Sequence, residues 1–221
     1  MRIALLGGTG DIGAGLALRF AHDTHHEVLI GSRDPERART AAEEYETELA
    51  SRGVDVSIGG FANEMAADRG DVVVLAVPAY HVADLVEAIG DRVTESVLVS
   101  PAVGMQRDES GLHYDPPATG SVTALVREVA PDAVPVVGAY HNLSADRLAN
   151  LDLSFDLDTV LVGDDPDAKE QVARLTADVD GLRALDGGGL ANAPEIEGLT
   201  PLLVNLAAEN EGMSDPGVKF Q

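Results

Sequence analysis

The feature that most constrains this chain is a glycine-rich turn that follows its first apolar stretch. Residues 2–6 are an apolar run of strand length, and residues 14–21 place small and apolar side chains at helical spacing. Between them, Gly8-x-Gly10-x-x-Gly13 has the spacing of a dinucleotide-binding fingerprint, whose glycines permit a tight turn, close approach of a pyrophosphate and packing of helix on strand. Glycines also mark ordinary turns. The strand before this motif and the helix after it nevertheless favour a Rossmann-type nucleotide-binding domain.

The end of the next apolar stretch indicates which dinucleotide binds. Residues 26–31 read as a second strand that ends in Ser32 and Arg33, where an acidic side chain would hydrogen-bond the ribose of NAD and repel a 2′-phosphate. A hydroxyl and a guanidinium suit a phosphate instead, and Arg37, one helical turn further on, adds a second positive charge. The alternative is that these arginines lie on a solvated helix start and bind nothing. It is weaker because a chain with so few cations is not expected to place two of them there without a role. The sequence therefore predicts NADP.

Charge excludes several classes of partner. The 221 residues contain 38 acidic and 15 basic side chains, a net charge of −23, and no cysteine. Such a chain is expected to repel nucleic acid and anionic membranes, and it has no signal-peptide pattern and no apolar run of membrane-spanning length. We expect a cytoplasmic protein, and the excess of acids with almost no lysine suggests a salt-rich cytoplasm in which charge repulsion is screened.

The remaining pattern alternates strands and helices. We expect an α/β fold: a doubly wound parallel sheet in a nucleotide-binding domain, residues 1–140, followed by a small αβ addition, residues 141–221. Residues 54–58 alternate like a strand, and the polar residues 105–118 read as a loop that covers the ligand crevice. The run 71–78 reads as a central buried strand. His81 and His141 lie just beyond strands, where ligand sites collect, although such histidines more often satisfy loop carbonyls.

The sequence offers no evident catalytic side chain. Thiolate and zinc–thiolate chemistry are excluded by the lack of cysteine, and no Ser-His-Asp order or HExxH motif is present. Short-chain dehydrogenases need a Tyr followed three residues later by a Lys, and none of the four tyrosines is followed in that way. We expect neither a metal site nor an acid–base pair.

Seven segments together resemble one family, the archaeal NADPH-dependent reductases of coenzyme F420, an 8-hydroxy-5-deazaflavin. They span the chain: residues 1–10, 31–33, 99–101, 149–152, 180–183, 199–203 and 217–220. The resemblance implies that NADP is held by Thr9, Gly10, Asp11, Ile12, Ser32, Arg33 and Arg37, and that the crevice is lined by Val77, Pro78, His81, Val103 and Ala139. It also implies that residues 141–221 help to form the deazaflavin site. Asp11 stands where the family pattern has Asn, so a carboxylate would have to cap the helix and turn away from the pyrophosphate.

The reaction implied by this resemblance is hydride transfer between NADP(H) and coenzyme F420. The hydride passes from carbon to carbon, so no side chain need carry a proton to the reacting atoms, and the protein stacks two rings and excludes water. The alternatives are an NADP-dependent carbonyl or imine reductase with His141 or Tyr140 as acid, and a non-catalytic NADP sensor. A helix from Thr200, with an apolar stripe, suggests a homodimer, although packing within its own domain is as good an explanation.

Overall fold

The computed structural model describes residues 1–221 and places the glycine turn at the centre of a six-stranded parallel sheet. The strands of this sheet are β1 (Arg2–Leu6), β2 (Glu27–Ser32), β3 (Ile58–Ala62), β4 (Val72–Leu75), β5 (Val97–Ser100) and β8 (Val136–Gly138). Their order is β3-β2-β1-β4-β5-β8, so the winding reverses between β1 and β4. A ligand crevice is expected at this reversal, outside the carboxyl ends of the strands. The expected doubly wound Rossmann-type fold is confirmed.

Helices cover both faces of the sheet. They are α1 (Asp11–Asp23), α2 (Pro35–Ser51), α3 (Asn63–Ala67), α4 (Ala79–Ile89), α5 (Val122–Val129), α6 (Ala145–Ala149), α7 (Pro166–Ala177), α8 (Ala193–Glu197) and α9 (Leu199–Glu209), with 3₁₀ turns at Gly90–Arg92 and Leu190–Asn192. None of these helices has both the length and the hydropathy of a membrane span.

Strand β1 illustrates why the sheet is buried on both faces. Ile3 and Leu5 join one core cluster and Ala4 and Leu6 join the other, because successive side chains of a strand point to opposite faces. All four residues are fully buried. A run of apolar residues without alternation is what such a strand requires.

The C-terminal part adds a small parallel pair, β9 (Leu157–Leu161) and β10 (Leu182–Asp186). An isolated bridge between Gly138 and Val162 joins it to the edge of the main sheet. Leu161 and Leu182 belong to the same core cluster as Ile3. The two segments divided in the sequence at residue 140 therefore share one core.

Two local expectations were wrong. Residues 54–58 alternate, yet the strand begins only at Ile58 and runs through Gly59 and Gly60. A Cβ on Gly60 would lie 2.5 Å from the backbone of Arg39 in α2, so close packing of helix on strand selects glycine over a better strand former. The polar segment expected to be a loop instead forms an antiparallel hairpin of β6 (Met105–Asp108) and β7 (Gly111–Tyr114).

Candidate functional site

The glycine turn after β1 is built for close packing of backbone on backbone. Gly7 adopts a φ of +80°, and a Cβ there would lie 2.5 Å from the carbonyl oxygen of Ala76. A Cβ on Gly13 would lie 2.6 Å from the oxygen of Gly7 and 2.7 Å from the Cα of Gly8. Only glycine therefore fits at these two positions, because the clashing atoms are backbone and cannot move aside.

Tyr45 of α2 stabilises the glycine turn through a side-chain hydrogen bond. Its hydroxyl donates to the carbonyl oxygen of Gly8 at 2.9 Å. Burial raises the pKa of Tyr45 to about 12, so the hydroxyl remains a donor throughout the physiological range. The turn is thus held by a side chain that the sequence motif does not include.

The start of α1 can bind an anion. Gly10 is the N-cap and supplies no side-chain acceptor. The backbone N–H groups of Asp11, Ile12 and Gly13 make no hydrogen bond within the chain. Free first-turn N–H groups and the positive end of the helix dipole suit a phosphate.

A first cavity of about 710 Å³ opens over this helix start. Its polar lining includes Thr9, Ser32, Asn63 and the arginines at positions 33 and 37. Ser32 is buried, and its hydroxyl oxygen accepts from the N–H of Asp34 at 3.2 Å. Four of its 16 lining residues are hydrophobic, so this cavity suits a polar, charged ligand.

Two unpaired arginines line the first cavity, together with the acidic residues Asp34, Glu64 and Asp84. Arg33 and Arg37 are exposed and have no carboxylate within salt-bridge distance. Apart from Arg107, every other Arg or Lys side chain contacts a carboxylate, a backbone carbonyl or an aromatic ring. In a chain with a net charge of −23, two unpaired arginines in one cavity mark an anion site.

A second cavity of about 810 Å³ continues from the first. The two share Thr9, Gly10, Arg37 and the wall at Ala76, Val77 and Pro78. Half of the second lining, 13 of 26 residues, is hydrophobic. A flat apolar ring therefore fits the second cavity better than the first.

Helix α6 packs closely on α1 beside the second cavity. A Cβ on Gly15 would lie 2.8 Å from the oxygen of Ala145 and 2.8 Å from the Cβ of Leu148. Arg19, also on α1, is buried and donates to the carbonyl oxygens of Leu148 and Asn150. These contacts bring Ala145, which lines the second cavity, close to the helix that begins at the glycine turn.

The structure brings most of the expected site residues together. The first cavity is lined by Thr9, Gly10, Ser32, Arg33, Arg37, Val77, Pro78 and His81, and the second by Thr9, Gly10, Asp11, Ile12, Arg37, Val77, Pro78 and Val103. Ala139 lines neither cavity, and its side chain is fully buried in the core. Asp11 is the first residue of α1 and its side chain does not cap the helix, contrary to the cap considered for it.

Several lining residues escaped the sequence reasoning. Asn63 and Glu64 reach the first cavity from the start of α3, and Asp215 and Pro216 reach the second from the C-terminal segment. The position of Asp215 is fixed by a hydrogen bond of 2.5 Å, which its carboxylate accepts from the Ser144 hydroxyl. The sequence carries no signal for these positions beyond the resemblance of its last residues to one family.

His141 lies in the wall of the second cavity and is almost fully buried. Its Nδ1 has no hydrogen-bond partner, and its Nε2 lies 3.5 Å from the hydroxyl of Thr123. Burial lowers the pKa of His141 to about 4, so the imidazole is neutral at physiological pH. A neutral ring with one free nitrogen can accept or donate a hydrogen bond to a ligand, but it is a poor source of protons.

This buried histidine predicts a loss of stability in mild acid. The unfolded chain takes up a proton near pH 6.5, whereas the folded chain resists protonation of His141 down to about pH 4. Stability therefore falls as the pH drops through this window, by about 2 kcal/mol between pH 7 and pH 5. Urea unfolding at the two pH values measures the loss, and a His141→Gln variant should lose about 2 kcal/mol less than the parent. An equal loss in both proteins would contradict the assignment.

Comparisons with known proteins show which family this chain belongs to. Residues 2–104 match the family model described as NADP oxidoreductase, coenzyme F420-dependent. The F420-dependent NADP reductase of Methanothermobacter thermautotrophicus is 40% identical over 213 residues, 95% of this chain and 90% of that protein. The enzyme of the same name from Methanocaldococcus jannaschii is 37% identical over 209 residues, 93% of this chain and 92% of that protein.

A solved structure shares the fold over nearly the whole length. A crystal structure from Arthrobacter sp. FB24, described as an F420-dependent NADP reductase, superposes with a TM-score of 0.77 at 24% identity and covers 95% of this chain and 94% of its own. The matches to the two methanogen enzymes cover more than nine-tenths of this chain, well beyond the nucleotide-binding turn. This chain belongs to the family of F420-dependent NADP reductases.

Proposed function

We propose that this enzyme transfers a hydride between NADP(H) and the deazaflavin coenzyme F420. The names of its relatives support the reaction and both coenzymes. The observation that carries the proposal is the pair of continuous cavities that meet at Val77 and Pro78. One holds the free arginines and the other is half apolar, as a charged nucleotide and a flat ring system require.

NADP fits the first cavity by the unpaired donors that the cavity offers to its phosphates. The free N–H groups at the start of α1 would hold the pyrophosphate, with Thr9, Gly10 and Ile12 around it. Arg33 and Arg37, with Ser32, would hold the 2′-phosphate. Asp11 is exposed beside these groups, and we expect its carboxylate to face solvent.

The deazaflavin ring would occupy the second cavity, against Val103 and the shared wall of Val77 and Pro78. When bound, NADPH supplies a hydride from its nicotinamide C4, and the deazaflavin accepts it at C5. The residues at the junction orient the two ligands and exclude water between them. His81 lies on the nucleotide side of the junction, whereas Ala139 is buried in the core and lines neither cavity.

The side chains of the second cavity do not favour an acid-catalysed carbonyl or imine reduction, the alternative reaction. Burial raises the pKa of Tyr140, and its hydroxyl lies 3.0 Å from the Thr176 hydroxyl. His141 is neutral for the reason given above. The Tyr140 hydroxyl is engaged with Thr176 and His141 is not protonated at physiological pH, whereas direct hydride transfer needs no proton donor.

The reaction is tested by adding NADPH to the enzyme and oxidised coenzyme F420 and following the visible absorbance of the deazaflavin. Loss of that absorbance at the rate of NADPH oxidation is expected. Single-turnover rates of His81→Ala, His141→Ala and Tyr140→Phe should each stay within about a thousandfold of the parent. A greater loss at one position, with NADPH binding intact, would instead support the acid-dependent reductase. Nucleotide binding without either reaction would indicate a sensor.

From the acidic composition we propose that the enzyme acts in a salt-rich cytoplasm. NADPH is available in that compartment. With a net charge of −23, like charges repel one another across the whole surface. Added salt screens this repulsion within a Debye length of about 3 Å at 1 M. The melting temperature should therefore rise steadily from 0.1 M to molar KCl, as differential scanning calorimetry can measure. A flat or falling curve would contradict adaptation to salt.

We also propose a homodimer that forms through α9. Leu202 and Leu206 are exposed by 52% and 39%, whereas Leu203 and Ala207 of the same stripe line the second cavity. Leu202 and Leu206, which face solvent, are therefore the residues that a second subunit would bury. A Leu202→Asp, Leu206→Asp variant should be monomeric in light scattering and retain its fold by circular dichroism. An unchanged oligomer would exclude this face.

A further inference from the structure

The third free cation of the chain lies outside the nucleotide cavity. Arg107 is exposed on β6 and contacts no carboxylate, carbonyl acceptor or aromatic ring. Free arginines are scarce here, since most cations of this acidic protein are paired. The other two, Arg33 and Arg37, line the first cavity. Arg107 is therefore the remaining unpaired cation that is available to bind an anionic ligand.

The hairpin carries Arg107 two residues along β6 from Met105, which lines the second cavity. In the register of β6 and β7, Met105 pairs with Tyr114 and Arg107 with Leu112. Residues 105 and 107 share one face of the strand, about 7 Å apart. Met105 lines the second cavity, and Tyr114, on the same face, donates to the buried carboxylate of Glu197. This face is therefore the one turned toward the body of the protein.

The hairpin is fixed in position by α9. The side chain of Asn205 accepts from the N–H of Leu112 at 2.9 Å and donates to its carbonyl oxygen at 2.7 Å. Leu203 and Val204, its neighbours on α9, line the second cavity. A single side chain thus ties β7, the strand paired with the one that carries Arg107, to a helix that lines the second cavity.

The other charges at this cavity are mostly negative. Asp11, Asp146 and Asp215 all line it, and Arg37, which it shares with the first cavity, is assigned to NADP. Arg147 already donates to the backbone carbonyl of Asp215, whereas Arg107 has no partner in the chain. An anionic group that leaves the cavity would be repelled by these carboxylates and attracted by Arg107. The tail attached to the ring of coenzyme F420 is such a group, since it carries a phosphodiester and glutamate carboxylates.

We propose that Arg107 binds the anionic side chain of the deazaflavin and so distinguishes the complete coenzyme from its uncharged ring fragment. This rests on the proposed function. An arginine offers paired N–H donors to a phosphate or carboxylate, and an exposed contact of this kind is worth about a fivefold to tenfold change in affinity. Screening by salt should reduce the effect, whereas contacts to the ring should be insensitive to it.

Fluorescence titration with two ligands tests the assignment: coenzyme F420 itself and 8-hydroxy-5-deazariboflavin, which has the ring without the charged tail. We expect Arg107→Ala to weaken binding of F420 about fivefold to tenfold and to leave binding of the fragment unchanged. Arg107→Lys should retain part of the affinity. The control is Arg174→Ala, which removes the same charge from the exposed face of α7 and should change neither.

The outcomes separate the two proposals. If the parent binds both ligands and Arg107→Ala binds both as well as the parent does, or loses affinity for both equally, the tail assignment is overturned and the proposed function stands. If the Arg174→Ala control weakens F420 binding as much, net charge rather than a contact at Arg107 is responsible, which also overturns it. A parent that binds neither deazaflavin overturns both proposals.

Discussion

Replacing both Arg33 and Arg37 by alanine is expected to lower the preference for NADPH over NADH about 100-fold. Both side chains line the first cavity and neither has a carboxylate partner. Each charge-assisted contact to a phosphate is worth about 1.5–3 kcal/mol, and exposure to solvent places these two toward the lower end. NADH lacks the 2′-phosphate, so the loss should fall on NADPH alone. The ratio of kcat/KM for the two nucleotides measures it.

Arg39→Ala is the matched control for this variant. Arg39 lies on the same helix, is exposed and pairs with Glu36, and it does not line the cavity. It removes a positive charge from α2 without removing a phosphate contact. Its selectivity ratio should stay within about twofold of the parent. If Arg39→Ala lowers the ratio as far as the double variant does, the 2′-phosphate is not held by specific contacts with Arg33 and Arg37.

Gly15→Val is expected to cost about 3 kcal/mol of folding stability and to weaken deazaflavin binding more than NADP binding. Valine places its Cβ 2.8 Å from both the oxygen of Ala145 and the Cβ of Leu148, so α6 must move away from α1. Overpacking of this kind costs about 1–3 kcal/mol or more, which exceeds the gain of a few tenths from removing a helix glycine. Because Ala145 lines the second cavity and not the first, movement of α6 should distort the deazaflavin site more than the nucleotide site.

Thermal unfolding and separate titrations with the two coenzymes measure this effect. A loss of about 3 kcal/mol corresponds to about 6–12 °C in Tm for a chain of this size. Ala14→Ser, a similarly small change at the half-buried neighbouring position of α1, should shift Tm by less than about 2 °C. A Gly15→Val protein with parental Tm and parental deazaflavin affinity would mean that the close packing of α6 does not shape the cavity.

The nucleotide half of the site could be predicted because its determinants are local. The glycine turn, the first residues of α1 and the arginines after β2 lie within residues 7–37, and each has a short-range reason for its residue type. The position of strand β3 was predicted wrongly because it depends on a contact between residues distant in sequence. Gly60 is required by the backbone of Arg39, a contact that no alternation of side chains expresses.

The ring half of the site was less predictable for the same reason. The β6 residues 105–108 are all exposed, so the hairpin leaves no apolar pattern in the sequence. Its position depends on Asn205, 93 residues away from Leu112 in the chain. Asp215 and Pro216 enter the second cavity only because the C-terminal segment returns to Ser144 and to β9. Tertiary contacts, rather than residue preferences, bring these elements to the cleft.

Direct hydride transfer between the two cavities is tested most directly with NADPH that carries deuterium at both C4 positions. The enzyme is mixed with this nucleotide and oxidised coenzyme F420 in ordinary water, and the reduced deazaflavin is analysed by mass spectrometry and NMR. We predict one deuterium at C5 of the product, because the hydride moves from carbon to carbon without exchange with solvent. A product whose new C5 hydrogen comes from water, or a deazaflavin that stays oxidised while NADPH is bound, would contradict the proposed reaction.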